Sequence, residues 1–132
     1  MSTASNVELV NALYAAFGRG DIPFILSQLA PDVRWRAHFE PIVPWAGDYS
    51  GRQGAGKFFQ AIADSVDVEG FEPQEAISQG DTVVSLGTFA CRVKATGKRA
   101  RTRWAFIWKL ADGQVTSYEQ FHDPKIAEAF RA

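Results

Sequence analysis

Hydrophobic and polar residues alternate along the stretch from Arg101 to Asp123, which holds the clearest structural pattern in the chain. A turn centred on Asp112 and Gly113 divides it into two runs, and this dipeptide between alternating runs is typical of a β-hairpin. Side chains at every second strand position point to the same side. The two predicted inner faces are Trp104, Phe106, Trp108 and Leu110 on the first run, and Thr116, Tyr118, Gln120 and His122 on the second. An aromatic face with a few polar groups indicates a pocket wall as much as a solid core.

Turn residues at hairpin spacing separate four runs of strand-forming residues in the C-terminal half. These turns lie at Gly80-Asp81, at residues 95–97 and at Asp112-Gly113. Consecutive strands joined by such short turns pair antiparallel. The predicted strands are Val68–Ser78, Asp81–Lys94, Lys98–Leu110 and Gln114–His122.

The N-terminal part has helical rather than alternating spacing. A capping box at residues 5–8 marks the start of a first helix, whose apolar positions recur three and four residues apart. A second short helix is predicted from a cap at Asp21 to a stop at Pro31. The buried positions are Val10, Leu13, Tyr14 and Phe17 in the first helix, and Ile22, Ile25, Leu26 and Leu29 in the second.

Between these helices and the long strands, the pattern changes twice. Residues 32–38 predict a short strand with Val33, Trp35 and Ala37 on one face. Residues 39–54 are rich in Pro and Gly but also aromatic, which indicates a loop that folds back over the domain. A helix is predicted at 56–66, and Asp123 followed by Pro124 predicts a last short helix through Phe130.

Helices first and a meander of long strands afterwards predict an α+β domain. We expect a cone-shaped, curved antiparallel sheet with the N-terminal helices packed on its concave face, enclosing a pocket. A length of 132 residues predicts one domain that spans residues 1–132.

Composition narrows the class of protein. An apolar fraction of 46% and a net charge of −1 are those of a soluble globular chain with no general attraction to nucleic acid or anionic membranes. No signal peptide and no apolar run of about 20 residues is visible, so we expect a cytoplasmic protein that does not bind membranes. Cys91 is the single cysteine, and a buried structural role is favoured for it.

Two further patterns in the sequence bear on cofactor binding and on nucleic-acid binding. The two histidines do not have the spacing of a zinc site, and no glycine loop is of the phosphate-cradling type, so no cofactor is expected. Arg99, Arg101 and Arg103 alternate along a strand, which indicates a solvated face. Nucleic acid is therefore not favoured as a partner.

The order of elements and three segments of sequence resemble the nuclear transport factor 2-like superfamily, and within it the SnoaL-like and ketosteroid-isomerase-related proteins. The segments are LYAAFGRGDIPFILSQLAPDVRW, VPWAGDYSGRQGAGKFF and DGQVTSYEQFHDP. The resemblance covers nearly the full chain and implies the cone fold and a homodimer. It does not imply one activity, because the superfamily contains enzymes, binding modules and adaptors.

The catalytic residues of the related isomerases are replaced here. Their general-base aspartate ends the short first strand, and the aligned residue of this chain is Ala37. One of their oxyanion donors is a tyrosine on the first helix. The register places Leu13 at that position in this chain, with Tyr14 next to it. The other donor is a protonated acid on the penultimate strand. That strand offers Ala105 or Phe106. Steroid isomerisation by the family's machinery is therefore disfavoured.

Other activities of the superfamily match only in part. The related epoxide hydrolases place an arginine between two aspartates, and Arg103 has no acid two positions later. SnoaL-type cyclases use an aspartic acid near the end of the last strand, where Asp123 is the nearest residue. A cyclase-like activity therefore depends on His122 and Asp123.

His122 is the leading candidate for acid–base chemistry, since it ends the last strand where a cone would open. Asp123 would orient it or act as a base, although a helix cap explains the same residue. His38 could face the cavity mouth together with Glu40, but strict alternation points it away from Trp35. A hydrogen-bonded structural role for each histidine stays open.

The sequence thus predicts a pocket protein for a small apolar organic ligand, with an isomerase, cyclase or hydrolase activity that needs no cofactor. The alternative is a non-catalytic ligand-binding protein or a dimeric protein-interaction module of the same fold. Aromatic residues at strand spacing are also consistent with plain core. The predicted binding residues are Trp35, His38, Trp45, Tyr49, Phe59, Trp104, Phe106, Trp108, Tyr118 and Gln120.

Overall fold

The computed structural model describes residues 3–132, which form four helices and six strands. Their order along the chain is α1 (Thr3–Gly18), α2 (Ile22–Ser27), β1 (Leu29–His38), β2 (Gly47–Ser50), α3 (Gly51–Ser65), β3 (Val66–Gln79), β4 (Thr82–Val93), β5 (Arg99–Ala111), β6 (Gln114–His122) and α4 (Lys125–Phe130). Within this described part, no helix is long and apolar enough to cross a lipid bilayer.

All six strands belong to one curved, unclosed sheet with the order β2-β1-β6-β5-β4-β3. The meander from β3 to β6 is antiparallel throughout, and β2 pairs antiparallel with β1. β1 runs parallel to β6, which joins the two halves of the chain. The predicted α+β class, with N-terminal helices on a curved sheet, is confirmed.

The three predicted hairpins have the turns that their residues favour. Asp112 and Gly113 both adopt positive φ values, 51° and 76°. This backbone matches the twist of the strands on either side, and Asp followed by Gly adopts it readily. One register shift follows between Lys109 and Leu110, so that Leu110 pairs with Val115. Val115 is therefore buried, and Thr116, predicted on the inner face, instead donates its hydroxyl to the Lys109 carbonyl at 3.2 Å.

The predicted boundaries were wrong at the start of the chain. α1 begins at Thr3, so Ser5 lies inside the first turn and the capping box does not mark the N-cap. Asp21 does cap α2, since its carboxylate accepts the N–H of Phe24 at 3.2 Å. That helix ends at Ser27, because Leu29 already pairs with Val115 of β6.

The loop predicted at 39–54 contains a short strand that the sequence did not indicate. β2 pairs with β1 from Arg34 to Ala37, and α3 begins at Gly51 rather than at Gly56. The Arg52 side chain donates to the Leu29 carbonyl at 2.8 Å and ties the start of α3 to β1. Long-range contacts therefore order a segment whose local composition favours a loop.

The core lies between the concave face of the sheet and helices α1, α2 and α3. Inward positions alternate strictly along β4 and β5, as the burial of every second residue shows. α4 packs against β5 at the other end of the interior, where Ile126 and Ala127 are buried. The aromatic residues of the meander, with the exception of Phe121, thus face the helices rather than solvent.

Candidate functional site

The interior of the cone is built almost entirely from aromatic rings. Trp35 of β1 stacks on Tyr118 of β6, with ring centroids 4.0 Å apart. Trp108 of β5 contacts Tyr118 at 4.5 Å and reaches Tyr14 of α1 at 5.8 Å. Phe106 approaches Tyr118 at 5.3 Å. Alternation on three neighbouring strands and one helical face brings these rings together.

These side chains border a cavity of about 60 Å³. The residues come from three helices and from strands β1, β3, β4, β5 and β6, together with Trp45 of the loop. The sixteen lining residues are Leu13, Tyr14, Phe17, Ile25, Trp35, Trp45, Phe58, Phe59, Ile62, Phe71, Phe89, Phe106, Trp108, Tyr118, Gln120 and His122.

Two polar residues of β6 are turned into this aromatic interior. The Gln120 amide nitrogen donates to the Tyr118 hydroxyl at 2.5 Å. Gln120 is only 4% exposed, and its side-chain oxygen has no hydrogen-bond partner among residues 3–132. Burial raises the pKa of Tyr118 well above its usual value, so the hydroxyl stays protonated and can itself donate. The pair therefore offers a free acceptor beside a donor.

Tyr14 supplies a second buried hydroxyl from α1. It accepts a hydrogen bond from the Trp108 indole nitrogen at 2.8 Å. Burial raises its pKa, and hydrogen bonds with Ser85 and Trp108 oppose the shift only in part. The indole nitrogen of Trp35 is also buried, and it has no partner in the described chain. Unpaired buried donors and acceptors are costly unless something else satisfies them.

His122 lines the cavity at the α4 end. Its Nδ1 lies 3.2 Å from the Thr102 hydroxyl, and the ring of Phe39 covers it at 4.5 Å. Burial lowers the pKa of His122 from 6.5 to about 3, so the imidazole is neutral near pH 7. A neutral imidazole can share a hydrogen bond or accept a proton, but it cannot serve as the stored acid of a reaction.

Asp123, predicted to orient His122, makes a different contact. Its carboxylate accepts the backbone N–H of Lys125 at 3.0 Å. The N-cap position itself is Pro124, one residue later than predicted. Asp123 therefore stabilises the start of α4, and no hydrogen bond within residues 3–132 joins it to His122.

The structure places three of the predicted binding residues outside the cavity lining. His38 points to the outer face of the sheet, where it lies 3.1 Å from Glu119 and stacks on Phe121 at 4.6 Å. The Tyr49 hydroxyl donates to the Trp45 carbonyl at 3.0 Å, and the Tyr49 side chain does not border the cavity. Trp104 packs flat on Phe106 at 3.9 Å and buttresses that ring.

The remaining predicted residues line the cavity together, and eight more residues join them. The additions are Leu13, Tyr14, Phe17, Ile25, Phe58, Ile62, Phe71 and Phe89. Those that lie on helices were predicted only as part of the apolar face of each helix. Helical spacing identifies the face that turns inward, but it does not separate side chains that fill a core from those that border a cavity.

Comparison with known proteins identifies the family. The family model described as the SnoaL-like domain matches residues 10–118. The chain belongs to this family. A solved NTF2-like protein from Burkholderia xenovorans LB400 is 32% identical to the SnoaL-like chain, with 99% of each chain covered and a TM-score of 0.89.

Two further relatives differ in how they are described. TerC, crystallized with polyporic acid, is 29% identical, with 97% of this chain and 99% of its own covered and a TM-score of 0.86. An uncharacterized protein of Mycobacterium tuberculosis H37Rv is 26% identical over the full length of both chains. The sequence resemblance to the nuclear transport factor 2-like superfamily is thereby confirmed.

Two other sequence features of the SnoaL-like chain have structural explanations. Cys91 is fully buried, and burial, with the charge of Glu69 adding to it, raises the pKa of its thiol to about 11. Such a thiol is protonated and unreactive near neutral pH. Arg103 is exposed on the outer face of β5, away from the cavity. No group of three potential metal ligands occurs among the described residues.

Proposed function

We propose that this protein binds a small, uncharged ring molecule that carries a hydroxyl group, and that Gln120 and Tyr118 orient it. The observation that carries this proposal is the unpaired side-chain oxygen of Gln120, buried in a cavity wall that is otherwise aromatic. Ligand sites typically combine an apolar lining with a few convergent polar groups. A ligand hydroxyl would donate to that oxygen and accept from the Tyr118 hydroxyl.

The charge state of the lining supports a neutral ligand. None of the described lining residues is Asp, Glu, Lys or Arg. Burial raises the pKa of Tyr14 and of Tyr118 and lowers that of His122, so all three side chains stay neutral near pH 7. A charged ligand would lose its hydration there without meeting an opposite charge.

The size of the cavity sets a condition on binding. Its volume of about 60 Å³ is well below the roughly 150 Å³ of an engineered apolar cavity that takes up benzene. A ring therefore enters only if a lining side chain moves. Phe17 and Phe59 are the natural candidates, because they are half-buried whereas Trp35 and Phe58 are almost fully buried.

The relation to TerC also supports a small organic ligand. TerC was crystallized with polyporic acid and is 29% identical to this chain. Polyporic acid is an acid, whereas no described residue of the cavity lining is a Lys or Arg that could pair with one. We therefore expect this protein to prefer neutral phenols or ketones over ring acids.

Binding of phenol, benzene and benzoate, measured by titration calorimetry near neutral pH, tests the proposal. Phenol should bind and benzoate should not, since phenol is uncharged and benzoate carries a negative charge. Gln120→Leu should weaken phenol about fivefold, the effect of one hydrogen bond worth roughly 1 kcal/mol, without weakening benzene.

Gln74→Leu is the matched control, because Gln74 is exposed on β3 and is not one of the residues that line the cavity. It should leave all three affinities unchanged. Benzoate binding as tightly as phenol would contradict the proposal, as would a Gln120→Leu variant that binds phenol like the wild type.

Acid–base catalysis is a second candidate function, favoured by the position of His122 on the same wall as Gln120 and Tyr118. A neutral imidazole can act as a weak base toward a substrate proton, and the tyrosine hydroxyls can donate to a developing oxyanion. Ring ketones that bind should then be isomerised or cyclised more slowly by His122→Gln, by about 10²–10⁴-fold. Turnover at full rate in that variant would exclude His122 as the base, whereas no turnover of any bound ring ketone by the wild type would leave ligand binding as the function.

A further inference from the structure

A second concavity lies on the surface next to the cavity, between the end of α1, the start of α2, α3 and the first residues of β3. This groove has a volume of about 570 Å³. Apart from Glu69 its side chains are apolar, and three of its residues are glycines. It is lined by Phe17, Gly18, Gly20, Ile22, Phe59, Ile62, Ala63, Val68, Glu69, Gly70 and Phe71.

The groove and the cavity share one wall. Phe17, Phe59, Ile62 and Phe71 border both spaces. The centroid of the Phe17 ring lies 5.0 Å from that of Phe71 and 6.1 Å from that of Phe59, so the three rings pack together where the two spaces meet. All three are half-buried. A shift of one ring into the groove would connect the two spaces.

The opposite end of the cavity is more firmly closed. Phe39 lies over His122 at 4.5 Å, and Trp45 packs behind it at 5.7 Å. Phe130 of α4 then packs on Trp45, also at 5.7 Å. The loop and α4 therefore cover that end, whereas the side next to the groove is covered by half-buried phenylalanine side chains.

The groove itself has the character of an apolar subsite. Val68 pairs with Cys91, whose side chain is fully buried on the concave side, yet Val68 is 43% exposed. The concave face is therefore left uncovered at this point. The carboxylate of Glu69 is held by the Arg99 guanidinium at 3.1 Å, so its charge is balanced from outside the groove.

We propose that the groove is a second subsite of the ligand site, which takes an apolar substituent of a molecule whose ring occupies the cavity. This inference rests on the proposed function and adds the shape of the ligand to it. The ligand class is a neutral hydroxylated ring with an alkyl or aryl chain. The chain passes between Phe17, Phe59 and Phe71 and lies against Val68.

Calorimetry with phenol and its para-alkyl derivatives, from methyl to butyl, tests this assignment. Every member of the series is uncharged near neutral pH, so only chain length varies. Each methylene that enters an apolar subsite should raise the affinity about three- to fourfold. Val68→Asp should remove most of this gain per methylene, measured relative to the affinity of the same variant for phenol.

Ile77→Asp is the matched control. Ile77 is an exposed apolar residue of the same strand, but it pairs with Val84, which lies between the buried inward residues of β4. Ile77 therefore points to the outer face of the sheet, away from the groove. It should leave the whole series unchanged. If phenol binds and the alkyl groups add nothing, the groove assignment is overturned while the proposed function stands. If no member of the series binds, both are overturned.

Two further results would also overturn the assignment. One is an equal loss of chain-length dependence in Val68→Asp and Ile77→Asp. The other is a change in the mass of the protein in light scattering that is caused by Val68→Asp alone, which would assign the groove to contact between copies of the chain.

Discussion

His122 shows how one residue can be placed correctly by sequence and still have an unexpected chemical character. It lines the cavity, as its position at the end of β6 suggested, but aromatic rings surround it and Thr102 is its hydrogen-bond partner. The predicted role in acid–base chemistry therefore stays a prediction. Burial determines the charge of the imidazole, and burial is a property of the packed interior rather than of the local sequence.

A pH dependence of stability follows from this burial. The pKa of His122 is lowered from 6.5 to about 3 in the folded chain. Between those values the unfolded chain binds a proton that the folded chain excludes, so this contribution is complete above pH 6.5 and is lost as the pH falls. The free energy of unfolding should decrease by up to about 1.4 kcal/mol per pH unit across this window.

Urea unfolding at a series of pH values measures this slope. His122→Gln should flatten it, because the titrating group is removed. His38→Gln is the control, since His38 lies on the exposed outer face, and it should retain the slope of the wild type. Identical slopes in the wild type and His122→Gln would show that His122 is not the group responsible.

At the scale of elements, the close approach of β3, β4 and β5 depends on Gly87. Gly87 pairs with Trp104 across β4 and β5, and the Trp104 ring lies directly over it. A Cβ atom at this position would lie 2.3 Å from both the Trp104 ring and the Glu72 carbonyl oxygen. A glycine inside a strand signals such an approach, but it does not tell which group approaches.

Gly87→Ala should therefore destabilise the protein. Displacing Trp104, which stacks on Phe106 and Phe71, would cost roughly 1–3 kcal/mol, as overpacking in a dense core does. Gly70→Ala is the matched control in the same sheet, because its Cβ would meet Ala90 at an ordinary 3.7 Å. Urea unfolding of both variants measures the difference. A Gly87→Ala protein as stable as Gly70→Ala would show that Trp104 does not need this space.

The elements that the sequence predicted well are those whose pattern is local. Alternation from Arg99 to His122 defines two strands, and the turn at Asp112 and Gly113 has its own residue preferences. β2 could not be predicted in this way, because Gly47–Ser50 becomes a strand only by pairing with β1. The parallel pairing of β1 with β6 is likewise a contact between distant parts of the chain.

The same distinction applies to the site. Trp108, Tyr118 and Gln120 were found from alternation, since one strand face must point inward. Tyr14 and Phe17 were seen only as the buried face of a helix, because their roles depend on a partner strand and on a void. The free acceptor on Gln120 could not be predicted either, since it results from the geometry of every neighbouring group.

At the scale of the whole molecule, the outer face of the sheet carries an apolar patch that is separate from the cavity. Cross-strand pairing aligns its residues in two rows: Ile77, Val84 and Ile107 in one, and Leu86, Ala105 and Phe121 in the other. Ile77 is 57% exposed and Phe121 is 42% exposed. Glu119, with Arg36 and His38 near it, lies at the edge of the patch. Contiguous exposed apolar surface with a polar rim is typical of an interaction site.

We propose that two copies of the chain pair through this outer patch, as the family resemblance implied. A two-fold interface brings each patch against its own copy, so one apolar residue contributes twice to the contact. Phe121→Asp and Ile77→Asp should each weaken the dimer by roughly thirtyfold or more, the effect of losing an anchor worth about 2 kcal/mol. Val68→Asp is the control, because it places the same charge on the concave side of the sheet and should leave dimerisation intact. Light scattering across micromolar concentrations, with circular dichroism to verify folding, distinguishes these outcomes. A wild-type protein that is monomeric throughout this range would contradict the proposal, and it would leave the cavity and its ligand site unaffected.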